Sequence, residues 1–250
     1  MADSVTVAYV HSHEVAHSWY SSMLNVLLAD LGGSGRLMSG GFIAVPYSTG
    51  GIATARNDGV EAFLAKGTDW LWWVDTDMGF APDTVERLLA AADADERPVM
   101  GALCYRWLEE DHDGLNGYRC RPSPTIYEWF EAGDRAGFAA VEDFRPDEVV
   151  RCAGTGSACI LVHRSVFERV AAEEGPEWYT PLRHPTMGVV GEDLSFCLRL
   201  GRHGIPLHVD TSVKTNHLKR LWVSDQTPSP LPVGPVQPNR AERRRMARKG

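Results

Sequence analysis

Five consecutive apolar residues, Trp70-Leu71-Trp72-Trp73-Val74, run straight into Asp75-Thr76-Asp77. A strand with one wet face alternates apolar and polar side chains, whereas one apolar throughout is covered on both faces. The run is far short of the ~20 residues that a membrane span requires. It therefore reads as the central strand of a layered sheet, and the flanking sequence supplies the layers. A strand is expected over 5–10, then an amphipathic helix over 19–31 stopped by Gly32 and Gly33. A second strand over 41–47 precedes a helix over 53–65, and Gly67 ends that helix. After the central strand, Pro82 opens a helix over 82–92, and 99–105 reads as another strand. This alternation predicts an α/β fold with a mostly parallel central sheet flanked by helices.

The middle is less regular. Residues 106–150 carry charge clusters and an aromatic run (Tyr127, Trp129, Phe130), and read as a hairpin or insertion bearing substrate contacts. Regular patterns return as a strand over 158–163, helices over 165–172 and 192–200, and closing strands over 206–209 and 213–217. From Ser224 the composition changes: five prolines crowd residues 228–238 and a basic run follows. The expected division is a folded domain over 1–223 and a disordered Pro-rich linker and basic tail over 224–250.

Charge narrows the partners. The chain is −8 in all, but residues 240–249 hold six cations and one anion, a net +5, so the remainder stands at −13. So acidic a body lacks the basic face that nucleic-acid binding requires. It can accept a phosphate-bearing ligand only if a metal ion or local cations supply positive charge. The five cysteines are scattered with no C-x-x-C pair, which argues against a disulfide framework or structural zinc site and for a reducing compartment. The N-terminal stretch lacks a basic region and a long apolar run, so neither a secretory signal nor a membrane span is expected, and the chain reads as cytoplasmic. Oligomeric state is not legible.

Four strings carry chemistry. His13-Glu14-Val15-Ala16-His17 matches H-E-x-x-H, which on a helix presents two imidazoles to zinc. Only twelve residues precede it and no third ligand follows at a suitable spacing, so histidines on the loop after the first strand are the better reading. Asp75-Thr76-Asp77 places two hard oxygen ligands at the end of an apolar strand, where open α/β sheets bind ligands. Such a pair suits Mg²⁺ or Mn²⁺, which complete their shells with phosphate oxygens and water. The bland alternative is a polar turn before the next helix. Gly191-Glu192-Asp193 opens a helix; acidic residues there complement the helix dipole, and they can also take a proton from a hydroxyl. His217 lies near the end of the last strand, and its meaning depends on what it meets in space.

In combination these residues resemble GT-A-fold, nucleotide-sugar-dependent glycosyltransferases of the family 2-like group. The resemblance spans roughly residues 5–218. It rests on Ala55-Arg56-Asn57-Asp58 before a helix, Trp73-Val74-Asp75-Thr76-Asp77-Met78, Gly154-Thr155-Gly156 with the strand and helix after it, Gly191-Glu192-Asp193-Leu194, and His217. The terminal basic run further resembles phage-encoded members. The resemblance implies a GT-A (Rossmann-like) single domain that transfers a sugar from a nucleotide diphosphate to a glycan or protein acceptor. It implies Asp75, Asp77 and His217 toward Mn²⁺ or Mg²⁺, and His11, Ser12, His13, Arg56, Asn57, Asp75, Thr76 and Asp77 around the donor. Gly154, Thr155, Gly156, Trp178 and Tyr179 would lie on the acceptor side. Asp193 would be the general base of an inverting displacement, with Glu192 orienting the acceptor or sharing the role. The D-x-D is common to inverting and retaining enzymes of the fold. The alternatives are a nucleotidyltransferase of related fold, which would normally show a Gly/Arg/Lys-rich loop that residues 5–20 lack, and a non-catalytic carbohydrate-binding protein.

Overall fold

The computed structural model describes residues 3–47, 50–112 and 117–219. The Pro-rich linker and basic tail expected over 224–250 lie outside them. The chain opens with β1 (Val5–His11), α1 (His17–Gly32), α2 (Arg36–Gly40), β2 (Phe42–Pro46) and α3 (Gly51–Lys66). It continues with β3 (Trp70–Val74), β4 (Met78–Gly79), α4 (Thr84–Ala91) and β5 (Val99–Leu103). The irregular middle resolves into β6 (Tyr105–His112), β7 (Gly117–Pro124), β8 (Ile126–Ala132), β9 (Arg135–Ala140), β10 (Val149–Cys152) and β11 (Gly154–Thr155). The last part holds β12 (Cys159–His163), α5 (Arg164–Glu174), β13 (Leu182–His184), β14 (Gly188–Val190), α6 (Glu192–Arg202), β15 (Leu207–Lys214) and β16 (Asn216–His217).

Seven strands form the central sheet in the order β10-β15-β5-β12-β3-β1-β2. β1, β2, β3, β5 and β15 run one way and β10 and β12 the other, so the sheet is mostly parallel, as expected. All five β3 side chains are buried. Leu71 and Trp73 enter the layer shared with α3, α5 and α6, while Trp70, Trp72 and Val74 enter the layer shared with α1, α2 and α4. The apolar run thus reflects helices on both faces, and two fully buried tryptophans give this strand most of its hold on the two layers.

Two features of the sheet differ from a simple β-α-β succession. β12 inserts antiparallel between β3 and β5. Its Cys159–Val162 side chains are all buried, so its composition marks a central strand without disclosing the neighbours. The two closing strands expected over 206–209 and 213–217 are instead one strand, β15, and the short β16. The polar Asp210-Thr211-Ser212 stretch that looks like a turn is an irregularity inside β15. There Ser212 N–H and Oγ both donate to Asp210 Oδ1, and Thr211 Oγ1 donates to the carbonyls of Arg145 and Glu148. The middle stretch forms the β6–β7 hairpin and the β11-β8-β9 sheet. The described residues 109–112, 117–119 and 219 group apart from the main unit, which comprises 3–108 and 120–218 among the described residues. Among the described residues Cys104, Cys152, Cys159 and Cys197 are free thiols, and no helix is long and apolar enough to cross a membrane.

Candidate functional site

The same-direction strands β1, β3 and β5 end at one pole, and the acidic motifs gather there. β3 stops at Val74, and a turn closed by the Met78 N–H to the Asp75 carbonyl carries the D-x-D beyond it. α6 begins at Glu192 after Gly191, which caps it without a side-chain bond, so the first-turn carboxylates stay available. Between the two motifs lies Arg56 of α3. Its Nη2 is 2.9 Å from Asp75 Oδ1, and its Nε is 3.7 Å from Asp193 Oδ1. The guanidinium sits over the rings of Trp73 and Tyr179, with centroids 5.2 and 5.6 Å away, and the side chain is 1% exposed. The two carboxylates and two aromatic faces offset the buried charge, while Nε and Nη1 of Arg56 are buried without a hydrogen-bond partner.

That arrangement sets the local electrostatics. Burial works against the Arg56 charge, but Asp75 and Asp193 more than offset it, so its pKa lies above the ordinary arginine value. Burial pushes the Asp75 carboxyl above the usual aspartate range; Arg56 opposes this, while Asp193 and Asp77 add to it. Glu192 is likewise raised, first by burial and then by Asp193. Asp193 points one oxygen inward: Oδ1 is buried, faces Arg56 and has no hydrogen-bond partner, although the side chain as a whole is 30% exposed. The exposed part is therefore on the Oδ2 side, near Gly156, where a Cβ would lie 3.7 Å from Oδ2. A glycine at that position leaves room beside the carboxylate.

Asp77 meets His217 across the pole. β4 pairs with β16, His217 opposite Met78, and the Leu218 N–H donates to the Asp77 carbonyl at 2.9 Å. His217 Nδ1 is 2.9 Å from the Tyr105 carbonyl and Nε2 is 2.9 Å from Asp77 Oδ2. If Nδ1 carries its proton toward the carbonyl, Nε2 of the neutral ring offers a lone pair to an oxygen that also accepts. Two acceptors at that distance need a proton or a cation between them. Among the described residues no group of three or more His, Cys, Asp or Glu side chains is placed to hold a metal, so Asp77 and His217 would be the protein's share of a shell completed from elsewhere.

Several residues expected at the site have other roles. Arg56 is too buried to touch a donor. Asn57 is also turned away: its Oδ1 accepts from the Tyr179 N–H at 2.8 Å and its Nδ2 donates to Thr180 Oγ1 at 3.1 Å, tying α3 to that loop. Trp178 and Tyr179 are 1% and 0% exposed and offer no face to a sugar. The Trp178 indole N–H donates to the Phe167 carbonyl, and the Tyr179 ring stacks on Phe196. Gly154 and Thr155 pair with β8 as β11, and both are buried. The stretch before Gly191 is the β14 half of a hairpin with β13. His11 ends β1, Ser12 and His13 lie exposed on the following loop, and the Thr76 carbonyl receives the Ala16 N–H. His17 starts α1 while His13 precedes it, so the H-E-x-x-H string does not place its imidazoles on one helix face. One residue not singled out from sequence stands beside this loop: Tyr47, 60% exposed, whose N–H donates to the His11 carbonyl. Exposed aromatics at strand ends have no sequence signature.

Residues 39–141 match the model of Glycosyl transferase family 2, about two-fifths of the chain. No curated protein matches the sequence. Among solved structures, the chain is similar to GalNAc-T7 with UDP, GalNAc and Mn²⁺, at 15% identity and a TM-score of 0.54 over 87% of this chain and 44% of that one. The chain thus spans less than half the length of that protein. It is also similar to A197 from STIV, at 16% identity and a TM-score of 0.48 over 87% of this chain and 86% of that one. With the sheet order described above, the likeness to GalNAc-T7 defines the fold class as GT-A, an α/β domain with a mostly parallel central sheet flanked by helices.

Proposed function

We propose that the chain is a metal-dependent glycosyltransferase that moves a sugar from a nucleotide diphosphate to an acceptor hydroxyl, with inversion. The observation that carries this reading is the Asp77–His217 contact at the carboxyl pole of β3, with Asp75 and Asp193 beside it. The family 2 match over residues 39–141, which includes the D-x-D, supports the same reaction class, and the Mn²⁺ of GalNAc-T7 supports a divalent cation.

Asp77 and His217, with Asp75 nearby, would hold Mn²⁺ or Mg²⁺. When bound, the cation supplies the positive charge that a departing diphosphate needs and that this acidic body lacks. His11, Ser12, His13 and Thr76 line the donor side of the pole. Arg56 holds Asp75 and Asp193 in fixed relation and keeps a positive charge near both. Asp193 takes the proton of the attacking hydroxyl through the exposed side of its carboxylate, beside Gly156. Glu192, whose carboxyl burial raises above the ordinary glutamate range, orients the acceptor or shares the base role. In a direct displacement the acceptor oxygen bonds to the anomeric carbon as the bond to the diphosphate oxygen breaks.

The test is a panel of nucleotide sugars, with nucleoside diphosphate release followed with and without Mn²⁺. Turnover should require the metal and fall at least a hundredfold in Asp77→Ala and His217→Ala. Asp193→Asn should lose turnover while donor binding stays near normal. Turnover that survives chelation would refute the metal assignment, and turnover that survives Asp193→Asn would refute the base.

A further inference from the structure

A second cavity of about 690 Å³ lies away from the carboxylate pole. That volume is within the roughly 300–1,000 Å³ of small-molecule sites. α6 connects the two places. Its first turn carries Glu192 and Asp193, while Cys197, Leu198 and Gly201 face the cavity. Eight residues of helix from Asp193 to Gly201 span about 12 Å. The opposite wall is the aromatic surface of the β8–β9 hairpin, where Trp129 is held edge-on between Phe138 and His184 with centroids 5.2 and 5.4 Å away. Ile205 and Leu207 close the base.

The chemistry of the lining is two-sided. The lining mixes Leu198, Ile205 and Leu207 with the His184 and Trp129 rings and the Cys152 and Cys197 thiols. Cys197 already bonds the Thr155 carbonyl, and burial pushes the Cys152 thiol up to about 12, so neither thiol brings a charge to the wall. The mouth, by contrast, is cationic. Arg151 lines it and has no ion pair among the described residues. Arg202 lines it too, and its partner Glu174 is shared with Arg199 and His203, at 3.2, 3.6 and 2.9 Å. One carboxylate thus answers two arginines and a histidine. Glu128 is the acidic residue at the rim. In a chain whose charge is −8, a cation-rich mouth is a local reversal of sign.

We propose that this cavity is a second binding site, for an organic anion with an apolar or aromatic body, its charged group at Arg151 and Arg202 and its body against Trp129 and Leu198. It does not depend on the reading of the carboxylate pole, because its test is binding alone.

The probes are 8-anilinonaphthalene-1-sulfonate and its uncharged analogue N-phenyl-1-naphthylamine, titrated by fluorescence into the native full-length chain, with near-ultraviolet circular dichroism checking the fold. The sulfonate should bind at one saturable site with quenching of tryptophan emission. Arg151→Glu, an exposed substitution, should weaken the sulfonate about tenfold and leave the neutral analogue within about twofold. Gly201→Trp, at a lining residue where a Cβ meets nothing within 4 Å, should weaken both by taking up room beside the body of the probe. Equal affinity of the sulfonate for all three proteins would overturn the proposal. So would displacement of the probe by a nucleoside diphosphate with Mn²⁺, which would place it at the carboxylate pole.

Discussion

Arg56→Met tests whether the buried cation holds the two acidic motifs together. The substitution keeps a similar apolar stem and removes the charge that lies 2.9 Å from Asp75 and 3.7 Å from Asp193. Charges about 4 Å apart at an effective dielectric near 20 attract by about 4 kcal/mol. Removing one partner of a buried pair typically costs about 3–5 kcal/mol. Asp75 and Asp193 keep 29% and 30% of their side-chain surface exposed, so water and protonation recover part of that. The expected loss is about 3 kcal/mol in urea unfolding at pH 7. Two further readings make the cause specific. Arg56→Met with Asp75→Asn should regain at least about 1 kcal/mol relative to Arg56→Met, because one stranded charge is gone. The loss should also shrink as the pH falls, because the raised Asp75 carboxyl takes up its proton earlier than an ordinary aspartate and the stranded charge disappears with it. A loss under about 1 kcal/mol, or a double variant no more stable than the single, would show that Arg56 only fills space.

Two other outcomes follow from the packing and the caps. His163 caps α5, its Nδ1 accepting the Ser165 N–H, and burial holds its pKa below the ordinary histidine value. A lowered histidine pKa adds stability that is present above the unfolded value near 6.5 and is lost as the pH falls through the folded one. His163→Asn, which caps without titrating, should therefore flatten the fall in melting temperature between pH 7 and 5; an unchanged slope would exclude the cap as its source. Gly59 of α3 packs under Trp73, where an added Cβ would lie 2.4 Å from Cη2. Gly59→Ala should cost about 1–3 kcal/mol in urea unfolding despite alanine's better helix propensity. Wild-type stability in that variant would mean α3 is free to shift.

The layered fold was legible because the relevant signals are local. The unbroken apolar run of β3, the helical spacing of Val60, Phe63 and Leu64, and the glycine stops each act within one element. Strand order was not, because β12 joins β3 and β5 from far along the chain and its composition is that of any buried strand. At the site, the D-x-D and the Glu-Asp pair were readable as types of chemistry. Which carboxylate meets which partner was not: Asp75 pairs with Arg56, whereas Asp77 meets His217. Trp178, Tyr179 and Asn57 show the converse error. Each belongs to a residue type that often serves a sugar or nucleotide, and each is consumed by packing or by the 179–180 loop. Burial is a property of the assembled layers, which a motif does not contain.

The pairing of β4 with β16 also sets a schedule. Asp77 and His217 are 140 positions apart in the chain, and the ladder that joins them comes from its far end. At roughly 5–20 residues per second, a ribosome delivers the histidine about 7–28 s after the aspartate. During that interval the three strands that lead to the D-x-D can already be paired, but the carboxylate still lacks its partner. A growing chain therefore lacks the Asp77–His217 contact, which forms only once β16 has emerged.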